Sequence, residues 1–172
     1  SYLKEGDFVN EKFYPLCTFL CENCFLVQLD EIETPENIFS EYAYFSSFST
    51  SWLKHAKDYV DMIIPKLSLD ENSLVIEIAS NDGTFLKRFI ENDCKVLGID
   101  PARNIAELAA KNGVPTQAEF FTEKFAEQLA TERKADIVFA RNVIPHVKDI
   151  HSVINGISLL LDNGGVGIVE VH

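Results

Sequence analysis

Basic side chains are scarce in this sequence: 15 Lys and Arg stand against 27 Asp and Glu, for a formal net charge of -12. They form no cluster, which argues against a nucleic-acid partner, because binding a phosphate backbone requires a concentrated basic surface. No apolar run approaches the ~20 residues of a membrane-spanning helix. The first ten residues, SYLKEGDFVN, lack the basic and then apolar pattern of a signal peptide. We therefore expect a cytoplasmic protein without a membrane partner, whose acidic surface tolerates a cationic small ligand.

Cysteine is limited to four residues, of which three are close together near the N-terminus. In a cytosolic protein, clustered cysteines are more often metal ligands or buried thiols than disulfides. Cys94 precedes a strand-like segment and is expected to be a small buried side chain. The clustered residues are Cys17, Cys21 and Cys24.

Two regions differ in composition. Residues 1–46 are rich in aromatics and cysteines and show no sustained periodicity, which predicts a small irregular region. Residues 47–172 form the second domain, which opens with a helix that Ser49, Thr50 or Ser51 could cap. Pro65 is expected to end or kink this helix.

From Leu74 onward, strand-like and helix-like segments alternate. Connections of this length predict right-handed crossovers and a mostly parallel sheet covered on both faces, a doubly wound α/β fold. The strand-like segments are LVIEIA, KVLGID, VPTQA, ADIVFA and, after a Gly-Gly turn, GGVGIVEVH. The helix-like segments are TFLKRFIEN, ARNIAELAAKNG, TEKFAEQLATE and DIHSVINGISLLL.

Glycine is missing where a dinucleotide-binding loop needs it. The segment IEIASNDGTF follows the strand–loop–helix pattern of such loops, but it carries one glycine instead of three. Ala79 still permits close approach of a ligand, and Asn81 accepts unusual dihedral angles and offers an amide. Gly83 is expected at the helix start because a side chain there would crowd the strand. The loop therefore does not have to bind a phosphate.

Two acids complete the expected ligand site at the carboxyl edge of the sheet. Asp100 ends the second strand, where a carboxylate can accept both hydroxyls of a ribose, although it could instead cap the helix after Pro101. Glu77 lies within the first strand. It is expected to contact the ligand, or only to orient the amides of the loop.

These segments resemble a known family. VIEIASNDGTFL, VLGIDPA and ADIVFARNVIPHV are similar to the successive motifs of class I S-adenosylmethionine-dependent methyltransferases. The resemblance implies S-adenosyl-L-methionine as cofactor. Its methionine end carries an ammonium, a carboxylate and no phosphate, and its sulfonium is cationic, which agrees with the altered loop and the acidic surroundings.

Further upstream, YPLCTFLCENCFLVQL and EYAYFSSFSTSWLKHAKDYV resemble the N-terminal part of the sugar C-methyltransferases. The resemblance extends over essentially the whole chain. It implies C-methylation of a nucleotide-linked deoxy-keto-sugar, a small-molecule substrate of deoxysugar biosynthesis.

The sequence also departs from that family. Its members carry two Cys-x-x-Cys pairs around zinc, whereas only Cys21 and Cys24 match here, so zinc is expected in a longer form and not in this chain. The family continues past the fifth strand into a Tyr-His-Glu-His segment. We therefore expect this chain to be a middle portion of a longer enzyme or a reduced relative, whose exposed edge strand favours self-association.

Catalytic groups follow from the implied chemistry. Removing a proton beside a ketone requires a base that titrates near neutrality, which favours histidine or an activated tyrosine. His146, after the fourth strand, is the first candidate, although it could only pack the next helix. Tyr44 matches a family tyrosine near the substrate, although it could be a buried aromatic.

Three further residues are expected to contact the cofactor. Asn142 follows the fourth strand and could reach cofactor or substrate. Glu119 and Phe120 follow the third strand, where they could meet an adenine by hydrogen bond or stacking, or could belong to the core or the next helix start.

Other functions stay open at this point. The acceptor atom could be an oxygen of a small molecule, which would make the protein an O-methyltransferase. A cofactor-binding domain or fragment without turnover is a second alternative. A nicotinamide-dependent reductase shares the sheet but would need the missing glycines.

Overall fold

The computed structural model describes Gly6, Glu11, residues 13–30 and residues 33–171. The described residues do not include most of the first ten residues, where no signal-peptide pattern is found, or His172. Contacts between residues divide the chain into two units, Ser1–Ala43 and Tyr44–His172. The boundary predicted from the sequence lies three residues later, between residues 46 and 47. None of the helices in the described part is long and apolar enough to cross a membrane.

The larger unit contains a five-stranded, fully parallel sheet, which confirms the predicted α/β fold. Its strands have the order β5-β4-β3-β6-β7. In chain order they are β3 (Leu74–Ile78), β4 (Lys95–Ile99), β5 (Thr116–Gln117), β6 (Ala135–Arg141) and β7 (Leu161–Glu170).

Strand order reverses between β3 and β6. From β3 the chain builds outward through β4 to β5 and then returns to β6 on the other side of β3. The connections that leave the carboxyl ends of β3 and β6 therefore lead to helices on opposite faces of the sheet, and the crevice between these connections is the place where sheets of this kind bind ligands.

Helices cover both faces of the sheet. They are α2 (Thr50–Leu67), α3 (Thr84–Ile90), α4 (Arg103–Lys111), α5 (Glu123–Ala130) and α6 (Ile150–Leu160). Because successive strand residues point to opposite faces, Val75 packs with residues of α2, α3 and α4, while Ile76 packs with residues of α5 and α6. This alternation gives two apolar cores, one on each face.

Helix α2 begins where the sequence predicts. The Ser49 side chain accepts a hydrogen bond from the Trp52 amide and caps the helix. The helix continues past Pro65 to Leu67 and ends at Ser68, whose left-handed backbone has a φ of 54°. Pro65 therefore lies inside the last turn and does not end the helix.

Strand β7 corrects the predicted Gly-Gly turn. Helix α6 ends at Leu160 and the strand starts at the next residue, so Gly164 and Gly165 lie inside β7. The pairing with β6 is irregular at this place, and Gly164 has a φ of 84°. The two glycines thus allow a bulge in the strand.

The smaller unit holds an antiparallel hairpin of β1 (Thr18–Leu20) and β2 (Val27–Leu29), followed by helix α1 (Pro35–Phe39). The Thr34 side chain caps α1. The residues of both strands are exposed, which leaves this unit without a buried core among its described residues.

Candidate functional site

The loop from Ala79 to Gly83 follows β3 at the carboxyl edge of the sheet. Ala79, Asn81 and Gly83 all have left-handed backbone, with φ values of 55°, 51° and 75°. This conformation is natural for glycine, tolerated by asparagine and costly for alanine. The loop therefore keeps a glycine-type backbone with a single glycine, and Ala79 carries the strain.

A segment that precedes α2 is hydrogen-bonded across this loop. We call residues 44–47 the strap. The Asn81 side chain donates to the Tyr44 carbonyl at 3.1 Å and accepts from the Ser46 amide at 2.9 Å. The Asp82 carboxylate accepts from the Ser47 amide at 3.0 Å. Both ends of the Asn81 amide, which the sequence suggested for a ligand, thus hold the strap.

Asp100 lies immediately after β4 and is only 7% exposed. One carboxylate oxygen accepts from the Asn81 amide and the other from the Ala102 amide, both at 2.9 Å. Burial raises the pKa of Asp100, and these two amides oppose the rise. Because each carboxylate oxygen can accept a second hydrogen bond, the group remains able to accept from hydroxyls of a ligand.

Glu77 lies in β3 and is ion-paired with Arg141 at the end of β6. Arg141 Nε donates to Glu77 Oε1 at 3.1 Å, and Nη2 donates to the same oxygen. Burial raises the pKa of Glu77, while the Arg141 guanidinium opposes the rise. The second oxygen, Oε2, is buried and has no partner among the residues that the structure describes.

Gly83 is confined by a neighbour that the sequence did not reveal. A Cβ atom at this position would lie 2.8 Å from the Cβ of Val114, which precedes β5. The crowding that we expected against β3 therefore arises against the connection between α4 and β5. Both the positive φ and this contact require glycine here.

Asn142 and His146 follow β6. Asn142 has a φ of 54°, is exposed, and its amide donates to the Glu170 carbonyl at 2.8 Å. His146 is the last residue of the short 3-10 helix Ile144–His146 and is exposed. Both residues come after the carboxyl end of the strand next to β3, as the sequence predicted for this segment.

Glu119 and Phe120 follow β5, the strand beside β4. Glu119 is exposed and Phe120 is half-buried. The Asp100 amide donates to the Gln117 carbonyl, which ties the end of β5 to the end of β4. The structure thus joins Glu77, Ala79, Asn81, Gly83, Asp100 and Tyr44 through one loop and its contacts, and it places the other four candidates on neighbouring strand ends.

Arg141 and Asp82 were not predicted from the sequence as residues of the site. A buried strand acid requires a cation, and Glu77 pairs in register with Phe139. Arg141 lies two residues further on and therefore points to the same face of the sheet, so residue parity could have identified it. Asp82 also accepts from the Thr84 side chain and amide at the start of α3, a local pattern typical of a capping acid.

Cys21 and Cys24 lie in the turn between β1 and β2. Hydrogen bonds from the backbone amides of Cys24 and Asn23 lower the pKa of Cys21 and favour its thiolate. Phe25, next in the turn, has a φ of 59°. The turn fits one half of a tetrahedral zinc site, but the described residues hold no group of three or more metal-binding side chains.

The sheet topology and the loop together define the class I methyltransferase fold. Residues 76–166, more than half of the chain, match the family described as "Methyltransferase domain", and residues 1–39 match one described as "Putative zinc binding domain". The chain therefore belongs to the S-adenosylmethionine-dependent methyltransferases, joined to a zinc-binding-type N-terminal region.

Curated and solved relatives agree with this membership. The chain is 36% identical to the C-methyltransferase NovU of Streptomyces niveus over 97% of its own length and 40% of that protein. It thus spans less than half of the curated relative. CalS10 of Micromonospora echinaspora, an amino pentose methyltransferase, has the same fold with a TM-score of 0.57 at 19% identity, over 75% of this chain and 57% of that one. DesVI of Streptomyces venezuelae gives a TM-score of 0.55 at 17% identity, over 71% and 51%.

Proposed function

We propose that this chain forms the cofactor-binding part of a C-methyltransferase that acts on a nucleotide-linked deoxy-keto-sugar. One observation carries the cofactor assignment: three carboxylates, those of Glu77, Asp82 and Asp100, lie at or beside the loop, and after burial the charges of Asp100 and Asp82 also raise the pKa of Glu77. Three carboxylates close together disfavour binding of a pyrophosphate and favour binding of a ligand that carries ammonium and sulfonium charges. The likeness to the C-methyltransferase NovU supports the type of reaction.

The residues of the loop have separate roles in this proposal. The Asp100 carboxylate accepts hydrogen bonds from the ribose hydroxyls, and Ala79 and Gly83 let the ligand approach the backbone closely. Glu77 Oε2 faces the ammonium group of the cofactor. Asn142, Glu119 and Phe120 contact the cofactor from neighbouring strand ends, the last two at the adenine. When bound, S-adenosylmethionine supplies a methyl group on an electrophilic sulfur.

His146 and Tyr44 serve the acceptor. His146 takes the proton from the carbon beside the ketone, and the electron pair left on that carbon is delocalised onto the ketone oxygen. Tyr44 is held at the loop through its carbonyl group, which leaves its half-exposed side chain available to orient the sugar. Holding the two reacting carbons close and in line accounts for most of the remaining catalysis.

The alternatives have different consequences. An O-methyltransferase would use the same cofactor loop but would deprotonate a hydroxyl group. A cofactor-binding domain without turnover would bind and not react. A nicotinamide-dependent reductase is disfavoured because the carboxylates at the loop would repel the pyrophosphate.

Calorimetry and a turnover assay test these assignments. We expect S-adenosylhomocysteine to bind and NAD not to bind; the reverse result would overturn the cofactor assignment. Transfer of a labelled methyl group to a nucleotide-linked keto-sugar, with the product linkage identified by NMR, separates carbon from oxygen methylation. Binding without transfer, under conditions where a full-length relative is active, would favour the domain without turnover.

The zinc proposal concerns a longer form of the protein. Cys21 and Cys24 would supply two thiolates from the hairpin turn, and a second cysteine pair would complete the tetrahedron. For the 172-residue chain we expect less than one tightly held zinc.

A further inference from the structure

The Arg141 guanidinium lies between two aromatic rings beside the cofactor loop. Its central carbon is 4.7 Å from the ring centroid of Trp52, on α2, and 3.6 Å from that of Phe85, on α3. The side chain is 10% exposed, and its partner Glu77 is 3% exposed. The rings restrict the orientation of the guanidinium and therefore the direction from which it approaches Glu77.

The contact is one-sided. Nε and Nη2 of Arg141 both donate to Oε1 of Glu77. The other oxygen, Oε2, is buried and unpartnered within the described part of the chain. A buried carboxylate oxygen without a donor is costly, and such an atom beside a ligand loop marks a place for a donor from the ligand. The pairing thus leaves one oxygen occupied and one available.

We propose that Arg141 is a positioning residue that keeps Glu77 ionised and turns its free oxygen toward the ammonium group of the cofactor. This inference rests on the proposed function, since it concerns the same site. It adds a role for the residue that immediately precedes the segment carrying Asn142 and His146.

Charge explains why an arginine is needed. Burial favours the neutral form of Glu77, and the neighbouring carboxylates of Asp100 and Asp82 favour it further. Arg141 is the cation that opposes them. Burial raises the pKa of Tyr59 on α2, the charge of Arg141 opposes this rise, and the charge of Glu170 on β7 adds to it. Without Arg141, Glu77 would gain a proton at a higher pH and could no longer attract a cation.

The test is the pH dependence of S-adenosylhomocysteine affinity, measured by calorimetry on the 172-residue chain. In Arg141→Met we expect the pH below which affinity falls to rise, so that affinity is about tenfold lower than that of the wild type between the two transitions and recovers at higher pH. Glu77→Gln should lack this transition, and Glu77→Gln/Arg141→Met supplies the baseline for every other titrating group, including those of the ligand.

Two further variants separate positioning from folding. Arg141→Lys keeps the charge and should restore the wild-type transition even if it restores only part of the affinity. Arg88→Met removes an arginine that pairs with Glu91 on α3 and should leave the affinity curve unchanged. If Arg141→Met does not fold, the comparison of Glu77→Gln with Arg141→Lys decides.

The outcomes distinguish this inference from the proposed function. If the unaltered chain does not bind S-adenosylhomocysteine, the proposed function fails. If it binds and the Arg141→Met curve coincides with the wild-type curve, or Glu77→Gln binds as tightly as the wild type, the positioning role is overturned and the cofactor assignment stands.

Discussion

At the scale of single residues, Asp100 connects the loop after β3 with the start of α4. Its two oxygens already accept from Asn81 and Ala102, so a ribose would add to these bonds and not replace them. We expect Asp100→Ala to weaken S-adenosylhomocysteine binding by about 1.5–3 kcal/mol, the range for losing a charged hydrogen-bond partner. Isothermal titration of variants that keep the wild-type melting profile measures this effect.

Asp100→Asn is the matched control, because it retains one carbonyl oxygen as an acceptor but loses the charge and the second acceptor oxygen, which an NH2 donor replaces. It should fall between the wild type and Asp100→Ala. Wild-type affinity in a folded Asp100→Ala protein would remove Asp100 from the site.

Gly83 provides a second residue-scale prediction. Gly83→Ala combines a left-handed backbone with a Cβ contact to Val114 and should lower the free energy of unfolding by about 2–4 kcal/mol. In the Val114→Gly background no Cβ remains at position 114, so the same substitution should cost about 1–2 kcal/mol. Urea unfolding of the four proteins gives the coupling energy; strictly additive losses would show that Val114 does not confine Gly83.

At the scale of elements, the strap makes the loop and the segment before α2 a single hydrogen-bonded assembly. Asn81→Gly keeps the left-handed backbone but removes the bonds to Tyr44 and Ser46. We expect exchange of the Ser46 amide hydrogen to accelerate about tenfold, in line with roughly 1.5 kcal/mol for a lost bond of this kind.

Asn81→Asp is the matched variant, since it keeps the acceptor for the Ser46 amide and loses the donor to Tyr44. Its Ser46 amide should therefore remain protected. NMR-detected exchange distinguishes the two, and equal protection in both variants would mean that the strap is held by other contacts.

Elements and side-chain partners differ in how far the sequence predicts them. Apolar periodicity located the five strands and the α-helices of the larger unit to within a few residues, because each of these elements must bury one face. The bulge in β7 was missed because Gly164 and Gly165 look the same in a turn and in an irregular strand. The left-handed Ala79 was also hidden, since alanine does not favour that conformation.

Partners within the site were harder to predict. Asn81 binds the strap over a separation of 35 residues, and Arg141 reaches Glu77 over 64. The sequence indicates that a buried acid needs a donor, but which donor reaches it depends on strand register and on the rings that orient the guanidinium. Glu77, Asn81 and Asp100 were therefore identified as candidates from the sequence, whereas Arg141, Asp82 and the pairings were not.

At the scale of the whole molecule, every residue assigned to the cofactor lies in the unit Tyr44–His172. We expect a shortened chain that begins at Glu41 to bind S-adenosylhomocysteine within about twofold of the 172-residue chain, because it retains all of these residues. Calorimetry of both proteins tests this. A loss of more than about tenfold, in a shortened chain with a native melting transition, would assign part of the site to the N-terminal unit.

The chain contains a single tryptophan, and it is the one whose ring lies against Arg141. Its indole nitrogen is buried without a partner in the described part of the protein. All tryptophan emission therefore originates next to the guanidinium that we assign to cofactor positioning. The colour and intensity of indole fluorescence depend on nearby charge, so the protein carries a built-in optical reporter at the edge of its site, readable without any attached dye.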